Sequence, residues 1–261
     1  MALLPRGFTK GLMVGGVIAV LWGVLGNRRR RATVAGPLLE RAEAVPFLGP
    51  RLYSYFAGEL MDGIYRSVAS DVATEAPSGE LLELGAGPGF LAAQIATRNR
   101  NLQVTAVNHA PGMVQAAEAR VHHAGVGRQV KVSRGHATDI PYPDNSFDYV
   151  ISLGGLQHWS APELAMAEIH RVLRPGGKAL LYNLRREMPE EGWDRVRERV
   201  ALLLRPIFDV TVAIPAERAH TEGQINALVA RTPFGKAETS TLAADIAGMN
   251  APVITKAALQ K

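Results

Sequence analysis

The fold is decided by residues 80–90, which read ELLELGAGPGF. An apolar run that contains one acidic residue, Glu83, is typical of a buried strand. Three glycines follow it at alternate positions: Gly85, Gly87 and Gly89. Glycine allows a tight turn and a close approach of a ligand to the backbone, and the first turn of the next helix presents unpaired N–H groups. The stretch therefore predicts a strand, a ligand-binding turn and a helix.

The spacing of the glycines indicates which kind of ligand the turn would bind. The pattern is E-x-G-x-G-x-G, whereas the turn that binds a dinucleotide reads G-x-G-x-x-G. An NAD(P)-dependent oxidoreductase is therefore disfavoured, and Asn108 disfavours it further because NAD binding prefers an acid at that position. A glycine-rich turn that binds no ligand is the structural alternative.

Composition and charge exclude several classes of function. The 261 residues suffice for one large domain or two small ones, and the lack of cysteine excludes disulfides, thiolate catalysis and cysteine-ligated zinc. The net charge is +5, yet residues 1–31 hold six Lys and Arg side chains and no acidic one. The remaining residues carry 23 basic and 24 acidic side chains. Because a nucleic-acid footprint should lie on the globular body, no nucleic-acid partner is predicted. No metal site is predicted either.

An uncharged segment precedes the globular part of the chain. Residues 11–27 carry no charge and are followed by four arginines; a helix needs about 17–25 apolar residues to span a bilayer. We interpret residues 1–31 as an N-terminal membrane anchor, with a cleaved signal peptide or a buried core helix as alternatives. More positive charge follows the segment than precedes it, so the positive-inside rule predicts a single-pass protein whose following domain is cytoplasmic.

Apolar strands and helices alternate along the rest of the chain. Residues 32–52 contain two Gly-Pro pairs and are predicted to be a linker, and Tyr53–Ala73 shows helical spacing. Continuous apolar strands separated by helices indicate an α/β fold with a parallel sheet covered on both faces. Strands are predicted at 81–84, 103–107, 130–133, 149–153, 178–184, 237–242 and 253–257, and further helices at 91–97, 111–123, 162–173 and 222–230.

Four blocks within Tyr53–Ala257 resemble the class I S-adenosylmethionine-dependent methyltransferases. They are most similar to the branch (methyltransferase type 11) that contains the ubiquinone/menaquinone-biosynthesis and sterol enzymes. The blocks read LLELGAGPGFLAAQIA, VTAVNHAPGMVQAA, GHATDIPYPDNSFDYVISLGGLQHW and EIHRVLRPGGKALL. The resemblance implies a Rossmann-like, doubly wound sheet of seven strands, mostly parallel with an antiparallel last strand. It also implies S-adenosylmethionine as the cofactor of a domain over residues 53–261.

The resemblance implies a cofactor site at the carboxyl ends of the strands. Glu83 and the glycine turn would face the methionine and ribose, Met113 would pack on the adenine, and residues after the fourth strand would line the mouth. The cofactor-binding residues expected are Glu83, Gly85, Ala86, Gly87, Gly89, Asn108, His109, Met113, His136, Ala137, Ser152 and Leu153. The turn Arg174–Gly177 is a family marker to which we assign a structural role.

Two positions depart from the family pattern. The end of the second strand normally carries an acid that binds both ribose hydroxyls, and here it carries Asn108, which can still pair with hydroxyls. The family usually has Asp or Asn where this chain has His136, and a neutral histidine can accept a hydrogen bond from the adenine amino group. An active enzyme with altered cofactor binding and a fold that has lost its activity both remain open.

Methyl transfer asks the protein to align the reactants and to exclude water. A base is needed when the acceptor atom carries a proton, and His158, which follows the fourth strand, is the candidate. The alternative is that His158 only shapes the pocket.

A long insertion, residues 185–221, follows the fifth strand. Apolar residues at helical spacing, beginning at Trp193, predict an amphipathic helix that ends near Pro206. It would be a cap packed on the domain, a lid over the acceptor pocket, or both. Together with the predicted anchor, the insertion favours a lipophilic acceptor, such as a quinone precursor, a phospholipid or a related lipid. A non-catalytic interaction module with the same fold is the alternative.

Overall fold

The computed structural model describes residues 49–200, 208, 212, 214–246 and 248–261. The predicted anchor, residues 1–31, and residues 32–48 of the predicted linker lie outside the described residues. Within the described ranges, no helix is both long enough and apolar enough to cross a membrane.

Seven strands form one sheet, as predicted. Their order across the sheet is β3-β2-β1-β4-β5-β7-β6. The first five strands pair in parallel, and β7 is antiparallel to both of its neighbours. The strands are β1 (Gly79–Leu84), β2 (Leu102–Asn108), β3 (Val130–Arg134), β4 (Phe147–Leu153), β5 (Leu173–Leu184), β6 (Glu238–Ile246) and β7 (Met249–Gln260). The carboxyl ends of the five parallel strands therefore meet at one edge, where ligands bind in such sheets.

Helices lie on both faces of the sheet. They are α1 (Gly49–Glu75), α2 (Phe90–Arg98), α3 (Pro111–His123), α4 (Pro162–Val172), α5 (Glu190–Arg199), α6 (Ile214–Arg218) and α7 (Glu222–Val229). One buried cluster joins the sheet to α1, α2 and α5 through residues such as Ile64, Ile95 and Trp193. A second cluster joins the other face to α4 and α7 through residues such as Ile169 and Ile225. The predicted doubly wound arrangement is confirmed.

Several element boundaries differ from the predicted ones. Helix α1 begins at Gly49, so its first residues fall within the range predicted as linker. The turn predicted at Arg174–Gly177 is an irregularity inside β5, because Leu173 pairs with Phe147 and Lys178 already pairs with Tyr149. Strand β5 therefore continues through this irregularity. Gly176 adopts a φ of 79°, which allows the chain to form a bulge there.

The amphipathic helix of the insertion is present but shorter than predicted. It ends at Arg199, and residues 201–207, which include the predicted end near Pro206, lie outside the described residues. Trp193, Val196 and Val200 are buried in the core shared with α1. This burial supports the interpretation of α5 as a cap packed on the domain.

Polar side chains fix α1 on the sheet. The Lys256 ammonium lies 2.7 Å from a carboxylate oxygen of Asp71 and 2.7 Å from one of Glu75. Lys178 binds the other oxygen of Glu75 at 2.9 Å, and the Tyr182 hydroxyl donates to Asp71 at 2.7 Å. Hydrogen bonds from Lys256 and Lys178 lower the pKa of Glu75. Strands β5 and β7 are therefore bonded to the last two turns of α1.

Candidate cofactor-binding site

The glycine turn that follows β1 leaves open space beside its backbone. Gly85 and Gly87 have φ values of 77° and 53°, and a Cβ built on either would meet no atom within 4 Å. A Cβ on Gly89 would instead lie 3.0 Å from Cα of Ala117 on α3. The first two glycines therefore expose the backbone to a ligand, whereas the third allows α3 to pack closely.

The end of the neighbouring strand holds this turn in place. The amides of Gly85 and Ala86 both donate to the carbonyl of Val107, at 2.9 and 3.0 Å. The amide of Gly89 closes the turn onto the carbonyl of Ala86 at 2.9 Å. The open backbone is thus rigid before any ligand arrives, which lowers the entropic cost of binding.

Glu83 carries the unsatisfied polar atom of the turn. Its side chain is 3% exposed, and its Oε2 has no hydrogen-bond partner within the described part of the chain. Burial raises the pKa of Glu83 to about 8, and a hydrogen bond from the Ala92 backbone N–H offsets part of that shift. A buried carboxylate oxygen without a partner is costly, so Oε2 suits a ligand that brings a hydroxyl or ammonium donor.

Asn108 ends β2 beside the turn, and its side chain is already partly engaged. Its Oδ1 accepts a hydrogen bond from the Ala110 N–H at 3.0 Å, and its backbone carbonyl accepts one from Gly135 at 3.1 Å. The Nδ2 amide and the second lone pair of Oδ1 are left to meet a ligand. Asn108 can therefore offer a ribose oxygen a donor, which the carboxylate of the family cannot.

His109 and His136 lie together on the two loops beside Asn108. Their ring centroids are 5.9 Å apart in an edge-to-face arrangement. Burial, and then the nearby His136 and Arg134, lower the pKa of His109. The exposed His136 contacts Thr138 through Nδ1, which accepts from the Thr138 N–H at 3.3 Å and lies 2.8 Å from its hydroxyl.

The Thr138 hydroxyl can donate to Nδ1 of His136 or accept from it. The predicted acceptance of an adenine amino hydrogen by His136 stays a prediction. The half-buried Ala137 follows it in the same loop.

Of the remaining predicted cofactor residues, some are buried in the core and one lies at the open edge after β4. Met113 is buried on α3, at 6% exposure. The Ser152 hydroxyl is buried and donates to the Leu84 carbonyl at 2.8 Å, so it ties β4 to the end of β1. Leu153 is half-buried next to Gly154, where a Cβ would meet no atom within 4 Å. The edge after β4 is therefore open as well.

His158 ends a short 3₁₀ helix, Leu156–His158, that follows β4. The ring is exposed, and its Nε2 lies 3.3 Å from Nε2 of Gln157. His158 thus lies at the same edge of the sheet as the glycine turn. Its role as a base stays a prediction.

A stack of three side chains supports the glycine turn from outside and was not foreseen from the sequence. Phe90 stacks on Tyr65 of α1 with ring centroids 5.2 Å apart, and the Arg120 guanidinium lies 3.3 Å from the Phe90 centroid. The Nε of Arg120 donates to the carbonyl of Pro88 at 3.1 Å. Only the aromatic residue directly after the last glycine signals this support, because its partners are distant in sequence.

The fold and the site together define an α/β domain that binds a nucleoside-type cofactor at the carboxyl ends of parallel strands. The open backbone at Gly85 and Gly87, and the unpartnered Oε2 of Glu83, fit a cofactor that brings both bulk and donors. Residues 82–181 match a protein-family model described as "Methyltransferase domain".

Named relatives agree with that match. The chain is 32% identical over 102 residues to a 2-methyl-6-phytyl-1,4-hydroquinone methyltransferase of Oryza sativa subsp. japonica, covering 39% of this chain and 30% of the relative. It is 31% identical over 117 residues to a demethylmenaquinone methyltransferase of Thermus thermophilus, covering 45% of this chain and 52% of that protein. The chain therefore spans about a third to a half of the length of these relatives.

A solved structure shares the fold. A SAM-dependent methyltransferase from Aquifex aeolicus superposes with a TM-score of 0.54 at 17% identity, covering 74% of this chain and 88% of that one. The family match, the named relatives and the site together support a class I S-adenosylmethionine-dependent methyltransferase domain over residues 82–181. The relatives it resembles include methyltransferases named for a phytyl hydroquinone and for demethylmenaquinone.

Proposed function

We propose that the protein transfers a methyl group from S-adenosylmethionine to a small lipophilic acceptor, such as a quinone precursor, a phospholipid or a related lipid. The observation that carries the proposal is the glycine turn, with its open backbone at Gly85 and Gly87 beside the unpartnered Oε2 of Glu83, within a matched methyltransferase domain.

Residues around the turn would hold the cofactor. Glu83 and the backbone of the turn would take its donors, and Asn108 would donate to a ribose oxygen. When bound, the cofactor supplies a methyl carbon that leaves its sulfur without the bonding electron pair, so the acceptor atom supplies that pair and releases any proton it carries. His158, at the same edge, would receive that proton.

The names of the relatives and the N-terminal sequence support a lipophilic acceptor. Two of the relatives are named for phytyl hydroquinone and demethylmenaquinone. Residues 11–27 are uncharged and precede four arginines, and we propose that they anchor the protein in a membrane with its catalytic domain in the cytoplasm. Anchoring raises the effective concentration of the enzyme near a lipid substrate.

Labelled cofactor tests the acceptor class. Lipid and aqueous extracts of cells would be incubated with the full chain and S-adenosylmethionine that carries a deuterated methyl group, then compared by mass spectrometry. We expect a labelled product in the lipid fraction that is absent without protein. Label only in water-soluble products would overturn the lipid acceptor, and label in neither fraction would count against methyl transfer.

Fractionation tests the anchor. Ile18→Arg places a charge in the centre of residues 11–27, where a charged side chain costs about 2.5–3.5 kcal/mol. We expect the full-length variant to leave the membrane fraction, while the control Lys10→Arg stays there. Equal partitioning of the Ile18→Arg variant and the wild type would remove the anchor from the proposal.

A further inference from the structure

Five buried polar atoms without a hydrogen-bond partner lie away from Glu83. Within the described ranges they are Gln157 Oε1, Asn183 Nδ2, Arg185 Nε, His220 Nδ1 and Thr255 Oγ1. We call these five residues the polar cluster. Buried polar groups are nearly always hydrogen-bonded, so a group of five requires an explanation that packing does not give.

The topology brings the centre of the polar cluster to one place. Asn183 of β5 and Thr255 of β7 are directly paired in the antiparallel ladder, which sets Cβ atoms about 4.5–5.5 Å apart. Arg185 continues this ladder, since its N–H donates to the Val253 carbonyl at 2.7 Å. Arg185 is the first residue after β5, two positions beyond Asn183.

That face is the one covered by α7. Tyr182, on the opposite face, reaches Asp71 of α1, whereas Leu181 and its partner Ala257 belong to the core shared with α7. Asn183 lies two residues beyond Leu181, toward the carboxyl end of β5, and pairs with Thr255 of β7. Both side chains are therefore on that same face. They are 2% and 0% exposed.

The other two members reach the same end of the sheet from loops. His220 immediately precedes the N-cap of α7, in a segment held to the end of β5 by Arg186 Nη1, 3.5 Å from the Ala219 carbonyl. Burial and the nearby Arg186 lower the pKa of His220. Gln157 follows β4. The Gly154 N–H donates to the Tyr182 carbonyl at 2.7 Å, which joins the end of β4 to β5.

The chemistry of these groups selects a type of ligand. The Asn183 amide and the Arg185 guanidinium are donors, the Thr255 hydroxyl donates or accepts, and the Gln157 oxygen accepts. A ligand oxygen can accept from the donors, and a hydroxyl can also donate to Gln157. An ammonium group would meet the permanent positive charge of Arg185.

We propose that the polar cluster binds the oxygen-bearing head group of the methyl acceptor, a phenol-type hydroxyl or a carboxylate, and rejects amines. This rests on the proposed function and deepens it, because it assigns acceptor chemistry to residues on the β5–β7 side of the site. The acceptor would meet donors on β5 and β7, while the cofactor meets the glycine turn.

Matched probes on one ring system test the head-group chemistry. 2-Naphthol, 2-naphthoate and (2-naphthylmethyl)ammonium would be titrated calorimetrically into the full-length protein saturated with S-adenosylmethionine. We expect one or both oxygen-bearing probes to bind at least tenfold more tightly than the ammonium probe. The first two probes also separate a hydroxyl head from a carboxylate head. Equal binding of all three, tighter binding of the ammonium, or no binding of either oxygen-bearing probe would overturn the proposal.

Two variants separate ligand binding from packing. Thr255→Val removes a hydroxyl at nearly constant volume, and Asn183→Leu removes an amide. Because Asn183 Nδ2 and Thr255 Oγ1 are buried without a partner, an apolar replacement should preserve or raise the melting temperature. We expect each variant to weaken the oxygen-bearing probes about tenfold and to leave S-adenosylmethionine affinity within about twofold.

The control is Thr105→Val, which removes a buried hydroxyl from β2, away from the polar cluster. It should leave probe affinity unchanged. Unchanged probe affinity in Thr255→Val and Asn183→Leu would contradict the proposal. Failure of the wild-type protein to bind S-adenosylmethionine would instead contradict the proposed function, so the two failures are distinguishable.

Discussion

The half of the sheet formed by β1–β3 and the half formed by β5–β7 present polar groups at the same edge in different ways. In the first half, backbone positions at Gly85 and Gly87 are open, and one oxygen of the buried Glu83 carboxyl, Oε2, lacks a partner. In the second half, side chains such as Asn183 and Thr255 are the unpartnered groups. By the proposals above, the first half would bind the cofactor and the second half would bind the acceptor.

The two halves also differ in how they are held. The glycine turn is held by backbone hydrogen bonds to Val107 of the neighbouring strand and by the Arg120 contact with Pro88. The second half is bonded to α1 through Lys256 and Lys178, residues far along the chain from Asp71 and Glu75. Changes in each half should therefore have separable effects.

The largest effect is expected from Gly87→Val. A β-branched side chain at a φ of 53° is strained by roughly 1–2 kcal/mol, and its methyl groups would occupy the open space beside the turn. S-adenosylmethionine affinity measured by calorimetry should fall by more than about 100-fold. The control is Gly125→Val, at a φ of 67° and equally open, in the loop after α3. It carries similar strain and should bind the cofactor normally; equal losses in both would mean that strain alone is responsible.

A smaller effect, on stability, is expected from Lys256→Met. The change leaves Asp71 without its ammonium partner and Glu75 with only Lys178, and should lower the unfolding free energy by about 2 kcal/mol at pH 7. The lowered pKa of Glu75 means that its contribution is present above about pH 4.5 and is lost as the pH falls through its folded pKa. The deficit should therefore shrink in urea melts at low pH.

The exposed Lys236→Met serves as the control for that variant and should leave stability unchanged. Cofactor affinity of folded Lys256→Met should stay at the wild-type value. A loss of affinity comparable to the loss of stability would show that the two halves are not separable.

The smallest effect is expected from Arg120→Lys. It keeps the positive charge but removes the Nε hydrogen bond to Pro88, which is worth about 1 kcal/mol. We expect the Kd for S-adenosylmethionine to rise about fivefold, with Arg98→Lys on the exposed side of α2 as the control. Wild-type affinity in Arg120→Lys would mean that the positive charge alone supports the turn.

The sequence predicts the first half better than the second, for a physical reason. The glycine turn, Glu83 and the order of strands follow from local patterns in backbone geometry and apolar periodicity. The polar cluster, the Tyr65–Phe90–Arg120 stack and the ion pairs on α1 join residues that are distant in sequence, so no local pattern announces them.

Glu83 connects cofactor binding to pH. Its pKa is raised to about 8, so the folded state holds its proton more tightly than the unfolded state, and Glu83 lowers stability increasingly as the pH rises from about 4.5 to about 8. Glu83→Gln should flatten this part of the stability profile in urea melts. A positively charged cofactor near the carboxyl would favour its ionised form, so binding should release a proton from Glu83.

Calorimetry of S-adenosylmethionine binding at pH 7, in buffers of different ionisation enthalpy, tests the central claim most directly. Glu83→Gln should bind the cofactor about tenfold more weakly than the wild-type protein and release fewer protons on binding. The control Glu80→Gln, in the same strand, should behave like the wild type in both respects. No heat of binding to the wild type at millimolar cofactor, or identical affinity and proton release in Glu83→Gln, would contradict the account.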